Sequence, residues 1–158
     1  MNIIVDVADM KISSKPQDTI ITYSLGSCIG VVIYDKQVKV GGILHYLLPE
    51  SFASAGKSVT EPLKFADTAI PFFFKTAYQF GAKKNRMKII VAGGSNILDQ
   101  AGFFNIGKRN YLTLKKIFFK NNVIVDHEDV GGSAYKTIQL DINNGDTTIS
   151  SKKSKYIV

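Results

Sequence analysis

The fold is decided by residues 22–49, TYSLGSCIGVVIYDKQVKVGGILHYLLP. This stretch holds the only cysteine of the chain, Cys28, and one of its two histidines, His45. Apolar and β-branched residues at 29–34 and 38–48 predict two strands, and the polar residues 35–37 predict the turn between them. We therefore expect an antiparallel hairpin, with small residues before the cysteine and a Gly-Gly pair before the histidine.

The spacing of the cysteine and the histidine predicts that they meet. In a tight antiparallel hairpin the numbers of paired residues add to a constant, and the midpoint of 28 and 45 lies inside the predicted turn. Cys28 and His45 should then face each other at the open end of the hairpin. A histidine in hydrogen-bond reach favours a reactive thiolate, so the two are a candidate nucleophile and base. Thr22, on the preceding strand, is a candidate for the group that orients the imidazole.

Gly26 and Ser27 give the cysteine the surroundings that a nucleophile needs. Small residues let the chain turn tightly and let a substrate carbonyl approach the sulfur. They also leave backbone N–H groups to face a developing oxyanion. The residues alone leave an alternative open, since free cysteine is often buried as a small hydrophobic residue and His45 can be an ordinary strand histidine.

The composition is that of one globular domain over residues 1–158, with 151–158 as a loose basic tail. A single cysteine excludes an internal disulfide and a multi-cysteine zinc site. The N-terminal residues lack a secretory signal pattern, and no run of eighteen apolar residues predicts a membrane span. We therefore expect a cytoplasmic protein without membrane insertion.

The net charge of the chain is +7. The segment from Gly81 to Lys120 contains nine basic residues and only one acidic residue, Asp99. Such a segment favours an acidic partner, and a solvated lysine-rich face is the alternative. Aromatic residues are not interleaved with the basic ones as in a single-strand nucleic-acid platform, so nucleic-acid binding is not expected.

No cofactor or metal is expected. In the segment DHEDV only His127 and Asp129 would point to the same face of a strand, and two ligands are too few for a structural metal site. The pairs Gly93-Gly94 and Gly131-Gly132 do not match a phosphate-binding loop.

The remaining segments predict seven or eight strands and two main helices. Besides the hairpin, strands are predicted at 2–6, 20–23, 87–92, 123–130, 137–142 and 147–150. Loops are predicted at 10–18 and 51–58, and no structure is predicted for 96–106. One helix should begin after Thr60 as its cap, and a second should span 106–121. Pro71 should kink or restart the first helix. Strands that are close neighbours in sequence indicate an α+β domain of mixed, largely antiparallel β-sheet.

Five motifs in order resemble the CheD family of chemoreceptor glutamine deamidases. They are LGSC at 25–28, GGILHYLLP at 41–49, AGGSNIL at 92–98, IGKRN at 106–110 and DVGG at 129–132. The resemblance covers about residues 3–150. It implies an enzyme that hydrolyses the side-chain amide of selected glutamines in methyl-accepting chemotaxis receptors. It also implies a fold like the catalytic domain of cytotoxic necrotizing factor toxins, with β-sheets packed together and flanked by two or three helices.

The resemblance implies that Cys28 is the nucleophile, His45 the base and Thr22 the third member of the site. Backbone support for the oxyanion is expected from Gly26 and Ser27. In many bacteria the family also binds the phosphatase CheC. Contacts with partners are expected at Lys108, Arg109, Lys115, Gly93 and Gly94.

Two other functions remain open on the sequence, and one residue beside His45 differs from the family pattern. A non-catalytic module that holds receptors or CheC would leave Cys28 inert. A cysteine protease would need an open cleft for a main-chain substrate. The departure is at Leu44, where the family usually has Asn before the histidine.

Overall fold

The computed structural model describes residues 1–51, 59–97 and 105–158. The loop predicted at 51–58 lies, apart from Ser51, outside the described residues, and so does most of the segment 96–106. The described residues form ten strands and two α-helices rather than seven or eight strands. These are β1 Asn2–Ile4, β2 Asp9–Ser13, β3 Thr19–Leu25, β4 Ile29–Asp35, β5 Val40–Tyr46, α1 Ala66–Gln79, β6 Met87–Gly93, α2 Ile106–Lys120, β7 His127–Val130, β8 Lys136–Asp141, β9 Thr147–Ser150 and β10 Lys155–Ile157.

The strands form two five-stranded sheets. The central sheet has the order β2-β5-β4-β6-β7, and the outer sheet has the order β1-β3-β8-β9-β10. Only the pairs β1–β3 and β6–β7 are parallel, so the expected α+β class with largely antiparallel sheets is confirmed. Within the described part of the chain, no helix is long and apolar enough to cross a lipid bilayer.

The central sheet is covered on both faces, which explains why β4 and β5 are apolar except at Asp35 and His45. Every residue of β4 and β5 is buried. Ile29, Val31 and Ile33 share one core with apolar residues of α1 and α2. Val32 and Ile43 belong to a second core, together with apolar residues of the outer sheet. Burying one such side chain contributes about 1.5–3 kcal/mol, so this hairpin is the most stabilised part of the fold.

The start of the first helix was predicted incorrectly. Residues Pro62–Lys64 form a 3-10 turn, and α1 begins only at Ala66, with no side-chain cap from Thr60. The reason is tertiary, because Ala66 N donates to Leu48 O while Lys64 O accepts from the N–H groups that follow β5. This pairing holds Phe65 in an extended conformation, and α1 then continues from Ala66 through Pro71 as one element.

Two strands lie where the sequence predicts irregular chain. Residues 10–18 were predicted as a loop, but β2 pairs with β5 along five residues. The tail 151–158 was predicted to be loose, but β10 pairs with β9, and Lys88 Nζ donates to the Val158 carbonyl at 2.8 Å. Both strands lie at sheet edges and contain polar residues, so their composition alone does not indicate a strand. The strand predicted at 123–130 is limited to β7.

Candidate active site

The β4–β5 hairpin brings Cys28 and His45 to the same end, but not directly opposite each other. Gly30 pairs with His45, so the predicted pairing of Cys28 with His45 is wrong by two residues. The turn occupies residues 36–39, with Lys39 at φ +52°, and β5 starts two residues later than predicted. Since residues 28 and 30 point to the same side, Cys28 is a diagonal neighbour of His45, on the face toward the outer sheet.

Thr22 reaches the histidine from the opposite sheet. It lies on β3, whose pairing with β8 shifts between Thr22 and Leu25, where Ser24 has φ +58°. A bulge of this kind re-aims a strand, and here the chain turns from β3 into the loop that carries Cys28. The relative exposure is 0% for Thr22, 1% for His45 and 8% for Cys28, so the three side chains lie at the rim of the core between the sheets.

The hydrogen bonds of Thr22 assign the tautomer of His45. Thr22 Oγ1 lies 2.8 Å from the Val5 carbonyl oxygen and 2.8 Å from His45 Nδ1. The carbonyl can only accept, so the single hydroxyl hydrogen goes to Val5, and Nδ1–H must donate to Thr22. Nε2 therefore carries the lone pair. It is buried and has no hydrogen-bond partner among the described residues, the Cys28 thiol included.

Burial favours the neutral form of both groups. Desolvation raises the pKa of the Cys28 thiol to about 11, although its own backbone N–H acts in the opposite direction. Desolvation also lowers the pKa of His45 to about 4, against the opposing influence of Asp6 and Asp9. The resting pair is therefore a thiol and a neutral imidazole rather than the thiolate that the sequence suggested.

The turn after β6 holds the cysteine loop from one side. Gly94 N donates to Cys28 O, and Ser95 N donates to Gly26 O, both at 2.8 Å. Gly93 has φ +110°, and a β-carbon there would lie 2.2 Å from the Cys28 carbonyl oxygen. Only glycine fits this approach. The two glycines that we expected at a partner surface are thus buried against the loop.

Asn110 holds the loop from the other side. Its Nδ2 donates to Ser27 O and to Leu47 O, both at 2.9 Å. The carbonyls of Gly26, Ser27 and Cys28 are therefore all tied to the protein.

Leu44 does not touch the site. It is fully buried in the core shared with α1 and α2, on the face opposite to His45. The departure from the family pattern at this position is therefore accommodated by helix packing.

Asp35 lies at the other end of β4, in the region where the sequence predicts the turn, and its carboxylate lies 2.8 Å from the Arg86 guanidinium.

The predicted partner residues are distributed over α2. Lys108 and Arg109 are exposed, and Lys115 Nζ lies 3.7 Å from Glu128 Oε1.

The side chains of His127 and Asp129 point to the same side of the strand, as strand alternation predicts. Both hydrogen-bond to the Tyr156 hydroxyl, at 3.0 and 2.6 Å. Among residues 1–51, 59–97 and 105–158, no three His, Cys, Asp or Glu side chains form a group that could hold a metal ion.

Sequence reasoning did not assign a role to Asn110 or Ser95, and it placed Gly93 at a partner surface rather than against the Cys28 loop. All three lie in motifs that carried the family resemblance, IGKRN and AGGSNIL. The motifs were therefore the available signal, but only the fold shows that both of them converge on the Cys28 loop.

Comparison with known proteins points to one family. A family model described as CheD chemotactic sensory transduction matches residues 47–151. A protein of Syntrophus aciditrophicus, named probable chemoreceptor glutamine deamidase CheD 1, is 46% identical over 150 residues, covering 95% of this chain and 94% of the relative. Proteins named probable chemoreceptor glutamine deamidase CheD in Solibacter usitatus and CheD 2 in Anaeromyxobacter dehalogenans are 42% and 38% identical. They match 90% and 93% of this chain, and 85% and 92% of their own lengths.

Proposed function

Because this chain belongs to the CheD family, we propose that it hydrolyses the side-chain amide of glutamines in chemoreceptors, leaving glutamate and releasing ammonia. The observation that carries the proposal is the hydrogen bond between Thr22 Oγ1 and His45 Nδ1. It leaves Nε2 as the basic nitrogen on the face that His45 shares with the only cysteine. A nucleophile and a base held on rigid strands are the minimum that acyl transfer requires.

In the first half of the reaction, His45 Nε2 takes the proton of the Cys28 thiol as the sulfur attacks the glutamine Cδ carbonyl. The negative charge on the carbonyl oxygen is met by the backbone N–H groups of Ser27 and Cys28. The tetrahedral intermediate collapses, the C–N bond breaks, and His45 gives its proton to the departing ammonia. The product is a thioester between Cys28 and the substrate.

In the second half, His45 Nε2 takes a proton from water, and the resulting hydroxide attacks the thioester. The C–S bond breaks, the sulfur recovers the proton, and the glutamate side chain is released. Thr22 accepts the Nδ1–H hydrogen bond throughout, so Nε2 remains the nitrogen that exchanges protons. An imidazolium with a low pKa is a strong acid, which suits the protonation of the leaving ammonia.

Helix α2 offers a surface for an acidic helical substrate. It exposes five cations, two large apolar side chains and no acidic residue: Lys108, Arg109, Leu112, Lys115, Lys116, Phe119 and Lys120. Charge complementarity of this kind steers association and fixes the register of a partner. A chemoreceptor substrate would place the protein in the cytoplasm, where a single cysteine stays reduced.

The neutral resting thiol favours one alternative, a non-catalytic module that holds receptors or CheC. Slow alkylation of the free protein does not distinguish the two hypotheses, because a buried thiol reacts slowly in both. Turnover does distinguish them. A cysteine protease is disfavoured because Cys28 is only 8% exposed, which leaves little room for a main chain.

The test is ammonia release from a purified cytoplasmic fragment of a chemoreceptor. Cys28→Ala and His45→Gln should release no ammonia while keeping the circular dichroism spectrum of the folded protein. His127→Gln is the matched control, since it changes the only other histidine and lies outside the site. Ammonia release by Cys28→Ala at the wild-type rate would disprove the nucleophile.

A further inference from the structure

Asn110 is a buried polar residue that joins the two halves of the site. It lies on α2 and is 0% exposed. One Nδ2 hydrogen bond goes to Ser27 O, directly before the nucleophile, and the other goes to Leu47 O, two residues after the base. Its own backbone carbonyl accepts the Tyr46 hydroxyl at 2.7 Å, which fixes this turn of α2 on β5.

The orientation of the Asn110 amide follows from its partners. Ser27 O and Leu47 O can only accept hydrogen bonds, so the NH₂ group must face them, and Oδ1 must face away. Oδ1 is buried and has no hydrogen-bond partner in the described part of the chain. An unpaired buried acceptor costs stability, and leucine would fill a similar volume without that cost. The contribution of the amide is therefore its two donors, which pair two carbonyls that leucine would leave without these hydrogen bonds.

Within residues 1–51, 59–97 and 105–158, no other side chain hydrogen-bonds to both of these chain segments. Cys28 is not part of β4, which begins at Ile29, and Leu47 lies beyond the end of β5 at Tyr46. Beyond the ends of the β4–β5 ladder, the Asn110 amide connects the two segments through its hydrogen bonds to Ser27 O and Leu47 O. A fixed distance between Cys28 and His45 thus depends on a side chain from a helix rather than on the sheet alone.

We infer that Asn110 is a positioning residue, whose side-chain amide holds the Cys28 loop at a fixed distance from the end of β5 and so from His45. It touches neither the substrate nor the reacting atoms. Its effect on turnover rests on the proposed deamidase function, whereas its effect on the loop does not. A misplacement of about 1 Å between reacting groups can cost roughly 100-fold in rate, so loss of both hydrogen bonds should lower kcat strongly.

The test compares Asn110→Leu with Leu114→Ala, a matched control one turn further along α2. Leu114 is also 0% exposed, but it packs in the helix-side core, so its truncation destabilises the protein without freeing the loop. Three quantities are measured for the full-length protein: the melting temperature, the rate of Cys28 alkylation by iodoacetamide, and kcat and KM for ammonia release from the receptor fragment.

Asn110→Leu should speed alkylation several-fold, because the loop then keeps only its hydrogen bonds to the turn after β6 and the thiol becomes more accessible. It should lower kcat by roughly 10- to 100-fold and leave KM nearly unchanged. Faster alkylation with slower turnover is a combination that simple destabilisation does not produce. Alkylation and kcat equal to those of Leu114→Ala would overturn the inference.

Asn110→Ala provides a second variant if the leucine does not fold, and the same opposite changes are expected. Faster alkylation would still support the positioning role if the wild-type protein released no ammonia, and that result would contradict only the proposed function. Unchanged alkylation in both variants would overturn the positioning role whatever the turnover.

Discussion

Replacing Thr22 by valine should remove the control of the His45 tautomer while keeping the shape of the side chain. Thr22 is fully buried and makes two hydrogen bonds of 2.8 Å, one to Val5 O and one with His45 Nδ1. Valine replaces the hydroxyl with a methyl group. Val5 O and Nδ1 then lose their partner in a site where little water can replace it.

The magnitude follows from these two bonds. An unpaired buried polar group costs about 1–3 kcal/mol, and two are left unpaired, so we expect a loss of about 2–6 kcal/mol in the free energy of unfolding. The free energy of unfolding of a protein of this size is roughly 5–15 kcal/mol, so most of this range leaves the variant folded. The larger effect is on kcat. Without an acceptor at Nδ1 the proton can move to Nε2, and loss of the general base should lower kcat roughly 100-fold or more.

The assay measures kcat and KM for ammonia release by Thr22→Val and by Thr22→Ser. Serine keeps the hydroxyl and should retain most of the wild-type kcat. A valine variant with the kcat of the serine variant would refute the role of Thr22 as the group that sets the tautomer.

Three further outcomes are expected. Desolvation places the pKa of His45 at about 4 when folded, against 6.5 unperturbed, so the unfolded chain binds the extra proton between these values. The contribution of neutral His45 to the free energy of unfolding is full above pH 6.5 and falls by about 3 kcal/mol as the pH drops to 4. Urea titrations at several pH values should therefore show a smaller decrease in the free energy of unfolding for His45→Gln than for the wild-type protein. Gly93→Ala places a methyl group against Cys28 O at an unfavourable φ, so it should cost roughly 1–3 kcal/mol and lower kcat, as thermal unfolding and ammonia release would show. Asp35→Asn weakens the buried ion pair with Arg86 and should cost about 2–4 kcal/mol, but kcat per folded molecule should not change, because Asp35 lies at the far end of β4.

The sequence predicts elements best where one pattern decides them. The span of α2 and the β4–β5 hairpin follow from apolar periodicity and are confirmed to within a residue or two at most of their boundaries. The register of the hairpin did not follow, because it depends on the length of the turn. The turn has four residues, 36–39, rather than the three predicted at 35–37, so Gly30 rather than Cys28 lies opposite His45.

The site was predictable in its residue types but not in its supports. Only one cysteine and two histidines are available, so a Cys28–His45 pair was a natural hypothesis. Asn110 lies more than sixty residues away from the hairpin, and no local pattern links its amide to Ser27 and Leu47. The protonation states of Cys28 and His45 could not be predicted either, because they depend on burial between two sheets whose packing the sequence does not reveal.

The proposed deamidase activity is tested most directly by mass spectrometry of the cytoplasmic fragment of a chemoreceptor after incubation with the protein. Specific glutamine-containing peptides should acquire the Gln-to-Glu mass increase with the wild-type protein and not with Cys28→Ala. Unmodified glutamines after incubation with folded wild-type protein, or the same modification with Cys28→Ala, would contradict it.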